Sequence, residues 1–232
     1  MADKNLYHDC AKVKMYLNRH RRIGISIVQF LINEHLLFQE MQTNNALFII
    51  RDEHNDYVGA ETQGIYSKRY KCVKPNTRDG YGFNVRFSAN NTFDRALFFE
   101  SAVDLMSYID FKLNFEKKSL KGDILISMAG LNLNILQHSL TAFGEPNAVL
   151  CVDNDSAGKR FKNKVKAVGI NYADHPPDER YNDWNEQLAA ARQGVKPIGR
   201  LLRRAEIDNI ISGLDYVEKG KREKEIGQPA II

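Results

Sequence analysis

Three short apolar runs stand out along the chain: Ala96-Leu97-Phe98-Phe99, Asp123-Ile124-Leu125-Ile126-Ser127 and Ala148-Val149-Leu150-Cys151-Val152. Each has the length and the Val, Ile, Leu and Phe content of a strand buried on both faces. Between them the spacing turns helical. Val103, Leu105, Met106 and Ile109 follow the first run, and residues 131–142 predict a helix after the second, with Met128-Ala129-Gly130 as the turn. Strand and helix alternate three times, which predicts an α/β domain of βαβ units, right-handed crossovers and a parallel sheet flanked by helices.

Upstream the pattern differs. Residues 25–38 place apolar side chains at Ile27, Val28, Leu31, Ile32 and Leu36, predicting an amphipathic helix that follows the basic run Arg19-His20-Arg21-Arg22. That run reads as a solvated face or as a nucleic-acid contact. Residues 46–50 and 57–62 predict a hairpin turning at His54-Asn55-Asp56, so the start of the chain suits a small α+β or winged-helix-like module. In residues 66–74 the basic side chains Lys68, Arg69, Lys71 and Lys74 interleave with Tyr66 and Tyr70. Such interleaving suits single-stranded nucleic acid, with cations on phosphates and rings on bases, and equally an edge strand whose lysines deter aggregation. Residues 201–211 predict a further amphipathic helix, followed by a mixed-charge run. The expected organisation is an N-terminal α+β module over residues 1–90, the α/β domain over 93–195, and a C-terminal helix with a charged tail over 196–232.

Two of the apolar runs end in acids. The third leads into Asp153-Asn154-Asp155-Ser156-Ala157-Gly158-Lys159-Arg160, and the first leads into Glu100. Strand ends of an open parallel sheet meet at its carboxyl edge, so Glu100, Asp153 and Asp155 are expected to converge there. Hard divalent cations such as Mg²⁺ or Mn²⁺ favour oxygen ligands and are commonly held by one or two carboxylates together with substrate phosphates. Ser156 is a candidate helix cap, and Lys159 and Arg160 would bring positive charge to a phosphate. Taken alone, Asp-x-Asp also reads as a solvated acidic turn.

Together these segments resemble the TOPRIM domain of bacterial primases and topoisomerases. Glu100-Ser101-Ala102-Val103-Asp104 is similar to the Glu-Gly-x-x-Asp segment of the primase-type branch, Gly130 follows the middle strand, and Asp-x-Asp-x-Ala-Gly is present in full at residues 153–158. Serine after the glutamate, with Asp183-Trp184-Asn185-Glu186 downstream, resembles primase-like TOPRIM proteins of plasmids, phages and conjugative elements. The likeness spans about residues 93–190 and implies a Rossmann-like sheet. It implies Glu100 as the general acid or base of phosphoryl transfer, also able to touch a metal, and Asp153 and Asp155 as ligands of Mg²⁺ or Mn²⁺. Asp104 would either orient Glu100 or stand as an exposed helix carboxylate. Asp183 would be an outer metal ligand, the N-cap of a following helix with Glu186 completing a capping box, or both.

Composition narrows the context. The 232 residues are 43% hydrophobic with a net charge of +4, which permits nucleic-acid binding without demanding it. No apolar run approaches a membrane span and the first residues lack a signal-peptide pattern, so the expected location is cytoplasmic. Cys10, Cys72 and Cys151 lack the paired spacing of a zinc site. That departs from the cellular replicative primases, which carry a zinc module for the template, so a replication or mobilisation partner, or some other device, would have to select the template in its place. Three functions remain: primase-like nucleotidyl transfer on single-stranded or template DNA, a TOPRIM nuclease or nicking enzyme acting on DNA or RNA, and a non-catalytic module that binds nucleic acid or protein. A strand-passing topoisomerase fits less well, because the chain has little room for gate domains.

Overall fold

The computed structural model describes residues 6–7, 10–66 and 70–194. Its first half is built on an antiparallel sheet in which β1 (Leu6–Tyr7), β2 (Leu37–Glu40), β3 (Ala46–Arg51), β4 (Tyr57–Gln63) and β5 (Lys71–Val73) lie side by side in chain order. The short helix α1 (Ala11–Met15) runs on through a π-helical turn at Tyr16–His20, and α2 (Ile25–Asn33) follows. The hairpin turn between β3 and β4 forms as its residues require: Asn55 adopts a left-handed φ of 69°, and Asp52 accepts the amides of His54 and Asp56 at 3.1 and 2.9 Å.

Two expectations are corrected here. The predicted helix over residues 25–38 stops at Asn33, because His35 takes a left-handed φ of 54° and the chain turns into β2. Leu36, Leu37 and Phe38 continue the apolar pattern, yet Leu37 and Phe38 serve opposite faces of a strand, so one run of apolar residues spans two elements. The module is also no winged helix, since five antiparallel strands replace a two-stranded wing.

The second half is the expected α/β sheet. β6 (Asn84–Arg86), β7 (Arg95–Phe99), β8 (Asp123–Ser127), β9 (Asn147–Leu150) and β10 (Tyr172–Asp174) assemble in the order β10-β9-β7-β8-β6. The first four are parallel, and β6 alone is antiparallel, an edge strand that the sequence pattern does not predict. The helices are α3 (Ala102–Phe111), continued by a π-helical turn at Lys112–Glu116, then α4 (Leu133–Ala142), α5 (Ser156–Ala167) and α6 (Trp184–Gly194).

Side-chain alternation sorts the core into layers. Ala96, Phe98, Ile124, Ile126, Ala148, Leu150 and Val152 pack on one face with Leu136 of α4 and Phe161 and Val165 of α5. Leu97, Phe99, Leu125, Val149 and Cys151 face the other way, where they join Met106 and Ile109 of α3, Trp184 and Leu188 of α6, and Phe48 and Ile50 of the antiparallel sheet. A single hydrophobic layer therefore binds both halves of the described chain. Phe48 against Phe83, with ring centroids 5.2 Å apart, is one of its contacts. Among the described residues no helix is long and apolar enough to cross a membrane. Lys68, Arg69 and the helix expected over residues 201–211 lie outside the described residues.

Candidate functional site

β7 ends at Phe99, and the next two residues, Glu100 and Ser101, turn the chain into α3. Ser101 caps that helix, accepting the Asp104 amide at 3.2 Å, while its hydroxyl donates to the Asp104 carboxylate. The Glu100 carbonyl is held from two directions, by the Gly130 amide at 2.8 Å and by Lys71 Nζ at 3.2 Å. Gly130 adopts a φ of 117°, a conformation that side chains disfavour, which gives the glycine after the middle strand a local reason. Lys71 reaches the turn from the edge of the antiparallel sheet.

β9 delivers the other acids. Cys151 donates its amide to the Phe98 carbonyl at 2.9 Å, so the two strands leave the sheet together and Asp153 emerges beside Glu100. Asp155 is the N-cap of α5, its Oδ1 accepting the Gly158 amide at 2.7 Å, which corrects the expectation that Ser156 would cap. Gly158 is required by close approach, because a Cβ there would lie 2.2 Å from the Asp153 carbonyl oxygen. Asp153 Oδ1 is buried and has no hydrogen-bond partner.

Asp183 is brought in by a residue that sequence reasoning passes over. Asn154, between the two aspartates, donates through its side chain to the carbonyls of Pro177 at 3.0 Å, Asp178 at 3.3 Å and Tyr181 at 2.9 Å, and its amide bonds the Asn182 carbonyl at 2.8 Å. That latch folds residues 177–182 back over the strand end. Trp184 completes it, its Nε1 donating to the Cys151 carbonyl at 3.1 Å. Asp183 caps α6 by accepting the Glu186 amide at 2.7 Å, while Glu186 accepts the Asn182 amide at 2.9 Å.

The electrostatics show one cluster. Burial, and then the charges of Asp104, Glu100, Asp183 and Asp155, push Asp153 up to about 8. Asp104 is pushed up to about 7 by burial and by Asp183, against the pull of Ser101 and Lys71. Glu100 is raised by burial, opposed by Lys71 and reinforced by Asp155 and Asp183; Asp183 is raised by burial against its bond from Glu186. Asp104 is buried, so its reading as an exposed helix carboxylate is corrected. It bonds Ser101 rather than Glu100.

Among the described residues no three acids, histidines or cysteines gather closely enough to form a ready-made metal site. The donor chemistry nevertheless fits a hard cation: an unpartnered buried carboxylate oxygen on Asp153, whose proton affinity is raised by burial and by four neighbouring acids, is what a divalent ion would neutralise. Lys159 and Arg160 are exposed on the first turn of α5, beside the cluster and outside it. Sequence reasoning also misses Glu61 of β4. It is 1% exposed and raised by burial, opposed by bonds from Ser127 and Ala102. In sequence it looks like any polar residue of a half-exposed strand.

A central parallel sheet in the order β10-β9-β7-β8, acids at the ends of β7 and β9, and a glycine turn after β8 define a Toprim-like domain of Rossmann-like architecture. Residues 97–188 match the Toprim-like family, and residues 15–92 match a family of proteins of unknown function. An uncharacterized protein of Bacillus anthracis, pXO2-78, is 33% identical over 216 residues, covering 82% of this chain and 60% of the relative. The chain thus spans less than two thirds of that relative's length. Among solved structures, the primase fragment of the bacteriophage T7 primase-helicase protein gives a TM-score of 0.55 at 12% identity, over 83% of this chain and 72% of that one. The RNA polymerase domain of Mycobacterium tuberculosis primase DnaG gives 0.53 at 10% identity, over 93% of this chain and 90% of that one. The shared property at these identities is the fold of primase catalytic cores, and its extent takes in the antiparallel sheet as well as the parallel one.

Proposed function

We propose that the chain performs metal-dependent phosphoryl transfer on nucleic acid, as primase-like nucleotidyl transfer on single-stranded DNA in the setting of a plasmid, phage or conjugative element. The observation that carries this reading is the cluster of Glu100, Asp104, Asp153, Asp155 and Asp183 at the carboxyl edge of the sheet, where burial and then the neighbouring acids raise the proton affinity of Asp153 and Glu100. The primase-like fold supports it.

Asp153, Asp155 and Asp183 would hold Mg²⁺ or Mn²⁺, with Glu100 able to contribute. A bound divalent cation supplies charge stabilisation to a phosphoryl group in its transition state. Glu100, half-buried and with its proton affinity raised by burial, accepts the proton of a 3′-hydroxyl as that oxygen attacks the α-phosphate of an incoming nucleotide and pyrophosphate leaves. Asp104 keeps the Ser101 cap in place. Lys71 offers a cation at the acidic cluster, Lys159 and Arg160 offer two more for phosphates along α5, and the exposed rings of Tyr66 and Tyr70 offer surfaces on which bases stack.

The test supplies purified protein with single-stranded DNA, nucleoside triphosphates and Mg²⁺ or Mn²⁺, and follows labelled products on a denaturing gel. New oligonucleotides that need both template and metal are expected. Shortened substrate would replace the reading with a nuclease using water as nucleophile, and binding without any change of length would replace it with a non-catalytic module.

A further inference from the structure

Glu61 and Lys71 belong to the antiparallel sheet, yet their polar contacts lie at the start of α3. Glu61 pairs in register with Phe48, whose side chain packs in the layer shared with the parallel sheet, so the glutamate projects into that layer. One oxygen accepts the Ala102 amide at 3.2 Å, and the other accepts the Ser127 hydroxyl at 2.6 Å. Ser127 is the last residue of β8, and its Oγ in turn accepts the Ala129 amide at 3.2 Å, next to the Gly130 that holds Glu100. Lys71, on the neighbouring strand, donates to the Glu100 carbonyl. The two peptide groups flanking Ser101 are therefore each held by a side chain from the other sheet.

A buried carboxylate is an expensive way to fill a core position, since an apolar residue of similar volume usually serves stability as well or better. What an apolar residue cannot do is accept an amide at the start of a helix and a hydroxyl at the end of a strand in fixed directions. We propose that Glu61 is a positioning residue which, with Lys71, clamps the turn of residues 100–102, so that the N-terminal sheet sets where the Glu100 carboxylate stands. The proposal gives the segment of unknown function a task inside the Toprim-like site, and it rests on the reading of Glu100 as acid or base.

The test compares the full chain with Glu61→Ala, Glu61→Gln and Ser127→Ala by amide hydrogen exchange, thermal melting and steady-state kinetics below the melting range. In Glu61→Ala the amides of residues 101–105 are expected to lose at least about tenfold protection while the β7 and β9 amides keep theirs. The turnover number is expected to fall about 10- to 100-fold with KM for nucleotide within about twofold, the size of effect a misplacement of 1 Å produces. Glu61→Gln, which keeps one acceptor, should restore part of both, and Ser127→Ala should reproduce a weaker form. If Glu61→Ala fails to fold, Glu61→Gln and Ser127→Ala carry the same comparison. Unchanged protection at residues 101–105 in the folded variants overturns the clamp, as does a normal turnover number in them. A wild-type chain without activity on any substrate overturns the functional reading instead, and the exchange data then decide the clamp by themselves.

Discussion

The two sheets divide the labour of the molecule unequally. The parallel sheet is buried on both faces and delivers acids at its strand ends; the antiparallel sheet shares one face with that core and, among the described residues, carries the small cluster of Phe38, Leu47, Ile49 and Ala60 on the other. The first brings like charges together, which is costly, and the second answers with a lysine and a bridging carboxylate at the same turn. The acids and the side chains that hold their turn thus come from different sheets, and a domain defined by its motifs alone would lack part of its own geometry.

The largest expected effect lies on the parallel side. Glu100→Gln keeps the shape of the turn, whose anchors are main-chain atoms, and should lower turnover by about 10²- to 10⁴-fold with the melting temperature little changed. A variant that retains more than a tenth of wild-type turnover would remove the asymmetry between the sheets.

Proton linkage comes next. In metal-free protein folded Asp153 holds its proton up to about pH 8, whereas in the unfolded chain it releases it near pH 4. Between those values the folded state binds more protons, so stability falls as pH rises from about 4 to about 8. Melting in chelator should show that decline for the wild type, and Asp153→Asn should flatten it and weaken Mn²⁺ binding, more so when combined with Asp155→Asn. A wild-type melting temperature that is constant or rises across this window would mean that burial and the neighbouring acids do not raise the proton affinity of Asp153.

A smaller effect is steric. Gly158→Ala drives a Cβ against the Asp153 carbonyl and should cost about 1–3 kcal/mol in denaturant unfolding. An unchanged midpoint would show that the start of α5 can shift. The smallest effect belongs to the exposed cations: replacing Lys159 and Arg160 by alanine should lower the salt slope of single-stranded DNA binding by about 1.4, at roughly 0.7 for each phosphate no longer neutralised, without touching turnover on saturating template. An unaltered slope would leave template binding to the antiparallel side.

What could be read from the sequence follows from the same division. β7, β8 and β9 are legible because strands buried on both faces are written as unbroken apolar runs, and an acid that ends such a run has few other places to be. β6 is not, since the three residues Asn84, Val85 and Arg86 make too short an alternation to register. Glu61 looks solvent-facing because a polar residue in a strand normally is; its burial depends on a partner sheet that no local pattern announces. Asn154 reads only as the spacer of Asp-x-Asp, although its side chain fixes the loop that brings Asp183. Lys71 is expected among cations for phosphate, and its contact with the Glu100 carbonyl needs the fold to appear.

Trp184 has a practical consequence. It is the one tryptophan in the chain, it is 2% exposed, it adjoins Asp183, and its ring nitrogen is tied to the strand that carries Asp153. Emission excited on the red edge of the ultraviolet band, where the ten tyrosines do not absorb, is therefore a single-residue optical gauge placed at the acidic cluster. A spectral change on adding Mn²⁺ or nucleotide would report a local event beside the carboxylates, with no dye and no second tryptophan to disentangle.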